Sequence, residues 1–158
     1  MMTDDARIVD ALRADEPGSV QALIDAYGTR LVRSACLLCG NATDAQDIVQ
    51  DTLITAVRSI RKFRGKSRLY TWLHGILINI TRHSLRTRRP RVDLDDVPEP
   101  SDHGAHTRDI ENSSLHDALM HCVRQLSQEH RDVVVLRYFE EMTLEEISAA
   151  TGDRKSVV

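Results

Sequence analysis

The sequence predicts an all-α protein: two small helical domains joined by a flexible acidic linker, the second ending in an incomplete helix-turn-helix. Three observations carry this. Apolar residues recur at helical spacing up to Pro90 and again from Asn112, and strand signals are absent. Between them, residues 90 to about 111 hold three prolines, seven acids and almost no large apolar residue, too little to fold alone. Two Thr-x-x-Gln/Glu signatures open helices. The expected boundaries are 1–90, 91–111 and 112–158.

The elements follow in order. Ile8, Val9 and Leu12 mark one apolar face. After Pro17-Gly18, a longer helix carries Val20, Leu23, Ile24, Tyr27, Leu31, Ala35 and Leu38 at helical spacing until Gly40-Asn41. Thr43-Asp-Ala-Gln46 reads as a capping box for a helix with Ile48, Val49, Leu53, Ala56, Val57 and Ile60 inward. Arg64-Gly65-Lys66-Ser67 breaks the pattern, and Ser67 is the expected cap of the next helix. There Leu69, Trp72, Leu73, Ile76, Leu77 and Ile80 form a buried stripe. Beyond the linker, Leu115, Leu119, Cys122, Val123 and Leu126 make one stripe, and Ser127 reads as an N-cap before Val133 to Phe139. A second capping box, Thr143-Leu-Glu-Glu146, opens a short helix that Thr151-Gly152 ends. Asp153 is placed to cap another helix from Arg154, so a helix-turn-helix is expected to be cut off at Val158.

Composition bounds the rest. A formal net charge of −3 over 158 residues excludes a basic coat protein. The charge is segregated, with Asp93, Asp95, Asp96, Glu99 and Asp102 following a basic middle. No apolar run is long enough to span a bilayer, so no membrane contact of the chain's own is expected. The acidic start lacks a secretory pattern, and three cysteines give no disulfide framework; a reducing cytoplasm is the expected setting.

The basic middle is Arg58 to Arg91. It holds 11 of the 21 Lys and Arg residues, no Asp or Glu, and the single Trp. Positive charge interleaved with Phe63, Tyr70 and Trp72 suits DNA that is partly single-stranded, because phosphates take the charge and unstacked bases take the rings. Arg82, Arg86 and Arg89 share one helix face. Trp72 also belongs to the apolar stripe and is expected mainly in the core. Cys36-Leu-Leu-Cys39 lies within an apolar helix without a second ligand pair, so it reads as buried thiol, not a metal site. His103, His106, His116 and His121 read as solvent-facing. No cofactor is expected, and no nucleophile–base or phosphate-loop constellation supports an enzyme.

The chain resembles the extracytoplasmic-function (ECF) sigma factors of bacterial RNA polymerase. The resemblance rests on Asp44-Ala-Gln-Asp-Ile-Val-Gln-Asp51, Phe63-Arg-Gly-Lys-Ser67, Thr71-Trp-Leu73 with Ile76 and Asn79, Leu126-Ser-Gln-Glu-His-Arg131 with Val133 to Phe139, and Thr143 to Gly152. It implies that Asp47, Gln50 and Asp51 dock on core RNA polymerase, with Asp51 where the family usually has Glu. It implies that Arg58, Arg61, Lys62, Phe63, Arg64, Lys66, Ser67, Arg68, Tyr70, Thr71, Trp72, Asn79, Arg82, Arg86 and Arg89 contact promoter DNA at the minus-ten element. Asn79 is the expected base reader, since an amide both donates and accepts. Lys66 departs from the acidic or polar residue usual after Phe-Arg-Gly. Thr143, Glu146, Gly152, Arg154 and Lys155 fall in the helix-turn-helix, and an anti-sigma factor is an implied partner. Two rival readings remain at this point: a regulatory protein that holds polymerase or an anti-sigma partner without initiating, and an unrelated helix-turn-helix repressor on duplex DNA.

Overall fold

A computed structural model of the chain describes residues 4–87 and 109–152. Among them lie seven α-helices: α1 (Asp4–Arg13), α2 (Ser19–Cys39), α3 (Ala42–Ser59), α4 (Leu69–Thr87), α5 (Asp109–Gln125), α6 (Gln128–Val134) and α7 (Leu144–Thr151). A 3-10 turn (Ile60–Lys62) follows α3, and a π-helical turn (Val135–Phe139) follows α6. The architecture is all-α. Most of the expected linker, Arg89, Arg154, Lys155 and the helix start at Asp153 lie outside the described residues; α5 already begins at Asp109, within the segment read as linker.

Helix ends follow local chemistry. Gly40, at φ 76°, closes α2 with its N–H on the Cys36 carbonyl at 2.9 Å. The capping box expected at Thr43 is not formed. Asn41 sits in extended backbone before α3, and its side-chain oxygen accepts from the Thr43 and Asp44 amides at 2.8 and 3.3 Å. Asn41 wins because Thr43 is already helical. Ser127 caps α6, and the Thr143–Glu146 box is complete, with bonds of 3.2 and 2.8 Å. Helix α4 begins at Leu69, two residues beyond Ser67.

Helix α4 is the axis of the core. Leu69, Leu73 and Leu77 are buried against α2 and α3, where they meet Leu31, Leu38, Ile48 and Ala56. The expected stripe is too narrow, however. Tyr70, Thr71, His74 and Ile78 are also buried, whereas Trp72, Ile76 and Ile80 are only half-buried. A second face of α4 is covered by α7, which approaches closely because position 75 is glycine. A Cβ there would lie 3.3 Å from the Ala150 carbonyl oxygen and 3.6 Å from its Cα.

The apolar stripe expected on α5 is largely exposed: Leu115 is 71% and Leu119 47% accessible, and Val123 alone of that set is buried. Helix α5 is secured through its C-terminal end. There the Arg131 guanidinium donates to the carbonyls of Val123, Arg124 and Leu126, and to that of Leu38 on α2 at 3.0 Å. Val20 and Ile24 of α2, also expected inside, are partly exposed. Val135, Leu136, Met142 and Ile147 bring the second half into the same buried core. The π turn closes with the Glu140 N–H on the Val135 carbonyl, and Glu141 takes the left-handed conformation (φ 52°) usually left to glycine.

Candidate nucleic-acid interface

The basic window folds so that cations and rings part company. After the 3-10 turn the chain passes through extended Phe63 and left-handed Gly65 (φ 72°) into α4. Phe63 turns inward, packs on Trp72 at 5.2 Å between ring centroids, and its carbonyl accepts from Arg13 of α1. Arg58, Arg61, Lys62, Arg64, Lys66 and Arg68 are all exposed, with Ser67 half-buried among them. Of these, Arg64, Lys66 and Arg68, with Arg13 of α1, line a groove of about 820 Å³ between α1, this loop and the start of α7. Asp5 and Asp10 of α1, and Glu145 and Glu146 of α7, face the loop cations across it.

The face of α4 beyond the loop is not open. Asn79 is exposed, yet with Ser67, Thr71, Trp72, Gly75 and Ile76 it lines a concavity of about 260 Å³ whose other wall is the end of α7, Ala149 to Gly152. Thr71 is 1% accessible and its hydroxyl has no hydrogen-bond partner. That is a costly state for a buried polar group. Two arginines of the window are engaged by acids of the second half. Arg68 Nε donates to Glu146 at 2.7 Å, and Arg82 reaches fully buried Asp132 at 2.8 and 2.9 Å. Burial pushes the Asp132 carboxyl up, while the Gln128 amide and Arg82 oppose the shift. The Thr143 backbone N–H, aided by Arg68, holds Glu146 below the usual carboxylate range.

Tyr70 lies deeper than a DNA-facing ring would. It is 3% accessible, stacked on Tyr27 at 5.4 Å, with the Arg30 guanidinium 3.8 Å above it and its hydroxyl donating to Glu140 of the second half. His74 packs edge-on at 4.2 Å. The Tyr70 carbonyl can only accept, so His74 Nδ1 carries the proton, at 3.0 Å, and Nε2 faces the Ser34 hydroxyl at 3.0 Å. The one Ser34 proton goes to Glu140, whose other oxygen lies 3.8 Å from Arg30. Burial, and then the Arg30 charge, hold the His74 imidazole down to about 3. Arg30 and Ser34 of α2 and Tyr70 and His74 of α4 thus meet on one acid that follows the π turn.

The residues expected to meet polymerase stand together. Asp47, Gln50 and Asp51 are exposed on one side of α3, opposite buried Ile48, Val49 and Thr52. Of the basic set, Arg86 is exposed at the end of α4. Asp132 and Glu140, which tie the halves together, do not stand out in the sequence. An acid flanking an apolar run reads as solvated, and burial by a segment 50 to 106 residues away leaves no local signal.

Comparison with known proteins gives two family matches: Sigma-70 region 2 over residues 23–91 and Sigma-70 region 4 over residues 122–152. The chain is 31% identical to the RNA polymerase sigma-H factor of Pseudomonas aeruginosa, covering 91% of this chain and 80% of that protein. It is 27% identical to the ECF RNA polymerase sigma-E factor of Haemophilus influenzae, covering 93% and 82%. Among solved structures, CnrH in complex with the cytosolic domain of CnrY superposes with a TM-score of 0.70 at 22% identity, over 98% of this chain and 88% of that one. That last likeness is one of fold.

Proposed function

Since the chain belongs to the sigma-70 family and is an ECF-type transcription initiation factor, we propose that it recruits core RNA polymerase to promoters and stabilises the opened minus-ten element. Matches to regions 2 and 4 in one chain carry this reading, and the exposed cationic loop from Arg58 to Arg68 supports it. The work is binding, not covalent catalysis. Residues 1–90 form the domain that holds polymerase and the minus-ten element, residues 91–111 connect, and the segment from 112 supplies the helix-turn-helix containing Thr143, Glu146 and Gly152.

In this reading Asp47, Gln50 and Asp51 present an acidic, hydrogen-bonding face to polymerase. Arg58, Arg61, Lys62, Arg64 and Lys66 take phosphates, and Ser67 and Asn79 contact an unstacked base. Binding energy available only to the open duplex shifts its equilibrium toward melting. Phe63 and Tyr70 shape the loop from beneath. Exposed Leu115 and Leu119 on α5 and a fold shared with CnrH, solved with the cytosolic domain of CnrY, support an anti-sigma partner. The site of action is the cytoplasm; no helix among the described residues is long and apolar enough to cross a membrane.

Transcription from a fork-junction promoter, with core polymerase and with or without this chain, tests the assignment. Initiation that depends on the chain is the expected result. Polymerase binding without initiation would mark a holding protein, and DNA binding without polymerase a repressor. Arg58→Ala and Arg86→Ala are each expected to weaken holoenzyme binding to promoter DNA. Each should also flatten the plot of log affinity against log salt by about 0.7–0.9, the slope lost with one phosphate contact. Anisotropy titrations at three salt concentrations read this directly, and parallel slopes would remove that arginine from the phosphate set.

A further inference from the structure

We propose that Arg13, the last residue of α1, is a positioning residue for promoter recognition: its guanidinium fixes the first carbonyl of the Phe63–Arg68 loop and so sets where that loop meets the minus-ten bases. This deepens the function proposed above and rests on it. Helix α1 precedes the region 2 match, which begins at residue 23, so the role falls on a part of the chain that the match does not cover.

The loop needs a hold from outside. The 3-10 turn closes at Phe63, whose N–H donates to the Ile60 carbonyl at 3.1 Å, and α4 takes over at the Arg68 carbonyl, which accepts from the Trp72 N–H at 3.1 Å. The stretch between them turns through left-handed Gly65, where even an added Cβ would meet nothing within 4 Å. Ordering such a stretch only on contact with DNA would cost conformational entropy, and holding it in place beforehand avoids that cost. Two contacts at Phe63 supply the hold. Its ring packs on Trp72 of α4, with centroids 5.2 Å apart, and its carbonyl accepts from Arg13 Nη2. The ring sets the depth of the loop. The guanidinium sets the tilt of the peptide plane that leads into Arg64, and its charge strengthens the bond.

Arg13 is itself held. Val9 and Leu12 are buried and seat α1 on the core, Asp5 in its first turn accepts from the Tyr27 hydroxyl of α2, and Asp10 lies 4.0 Å from the guanidinium. Tied down at both ends, α1 is a rigid support, which a site that reads bases requires. Arg13 also lines the groove beside Arg64, Lys66 and Arg68, so a phosphate contact is the competing role. The two roles change different quantities. A phosphate contact adds affinity on every sequence and steepens the salt dependence, whereas a positioning residue changes the preference among sequences and leaves the salt slope alone.

The experiment uses the full chain with core polymerase, as parent, Arg13→Met and Arg13→Lys. The probe is a pool of fork-junction oligonucleotides randomised over the minus-ten positions, with bound sequences counted and affinity titrated at three salt concentrations. Arg13→Met keeps an unbranched apolar stem but removes the charge and every donor. Its preference for the sequences that the parent selects should fall about tenfold, the weight of one charge-assisted hydrogen bond near the low end of its range, at an unchanged salt slope. Arg13→Lys, which keeps a charged donor without the planar fork, should fall between Arg13→Met and the parent. In the free protein, releasing Phe63 should uncover its neighbour Trp72, the single tryptophan, and raise acrylamide quenching of its fluorescence in Arg13→Met. A salt slope lowered by about 0.7–0.9 with the preference intact would make Arg13 a phosphate contact and overturn the proposal. An unchanged preference at an unchanged slope would reduce Arg13 to a staple for α1 and overturn it equally. If Arg13→Met loses cooperative melting, Arg13→Lys decides by the same readouts. A parent chain that selects no sequence from the pool would refute the function proposed above, and Trp72 quenching would then decide alone whether Arg13 holds the loop.

Discussion

Acidifying the protein from pH 6.5 to 4.5 is expected to cost about 2 kcal/mol of stability through His74 alone, the slope approaching about 1.4 kcal/mol for each pH unit. His74 has 0% accessibility, and burial together with the Arg30 charge lowers its pKa from the ordinary 6.5 to about 3. The sign follows from which state takes the proton first. Below 6.5 the unfolded chain protonates its histidine while the folded one cannot, so unfolding is favoured progressively as pH falls toward 3. Glu140, 3.9 Å away, pulls the other way, but its oxygens are already shared with Arg30, Ser34 and Tyr70. Urea midpoints at several pH values, compared with His74→Gln, isolate this contribution. The variant should start less stable yet lose less on acidification. Equal acid sensitivity in both proteins would mean that Glu140 wins and the imidazole is charged in the fold.

Replacing Leu73 by alanine is expected to remove about 2–5 kcal/mol, the range for deleting a fully buried leucine from a core that only partly collapses. Leu73 is 0% accessible on α4, the helix against which α2, α3 and α7 all pack. A cavity there loosens every layer at once. Leu115→Ala is the matched control. At 71% accessibility its loss should fall within about 0.5 kcal/mol. Denaturant unfolding with unchanged m-values checks both, and similar losses at the two positions would contradict this burial pattern.

The difference between those two leucines separates local from distant causes. Helix existence is local. The 3.6-residue recurrence in α2, α3 and α4, the glycine after α2 and the Thr143–Glu146 box each act within one or two turns, and each is legible in the residues themselves. The cap at Asn41 lies two residues from the expected one because Thr43 offers the same hydrogen-bond chemistry, and only the backbone conformation chooses between them. The charge segregation of residues 58–91 is equally plain, since a run without acids needs no partner to be seen.

Which residues are covered by which is a different kind of fact. Leu115 and Leu119 carry helical spacing but stay largely exposed, while Asp132 and Glu140 look like solvated acids and are buried. Burial depends on residues 50 to 106 positions away being brought alongside, and no periodicity within one helix encodes that. An all-helical chain, most of its helix ends and a cationic segment of the sigma-70 type could all be read from the order of residues. That Arg68 and Arg82 are held by acids of the second half, and that Tyr70 and Thr71 face protein, emerged from the packing of the helices. The cause is range: hydrogen-bond caps and helical periodicity act over a few residues, whereas desolvation and ion pairing act between whatever surfaces the fold presses together.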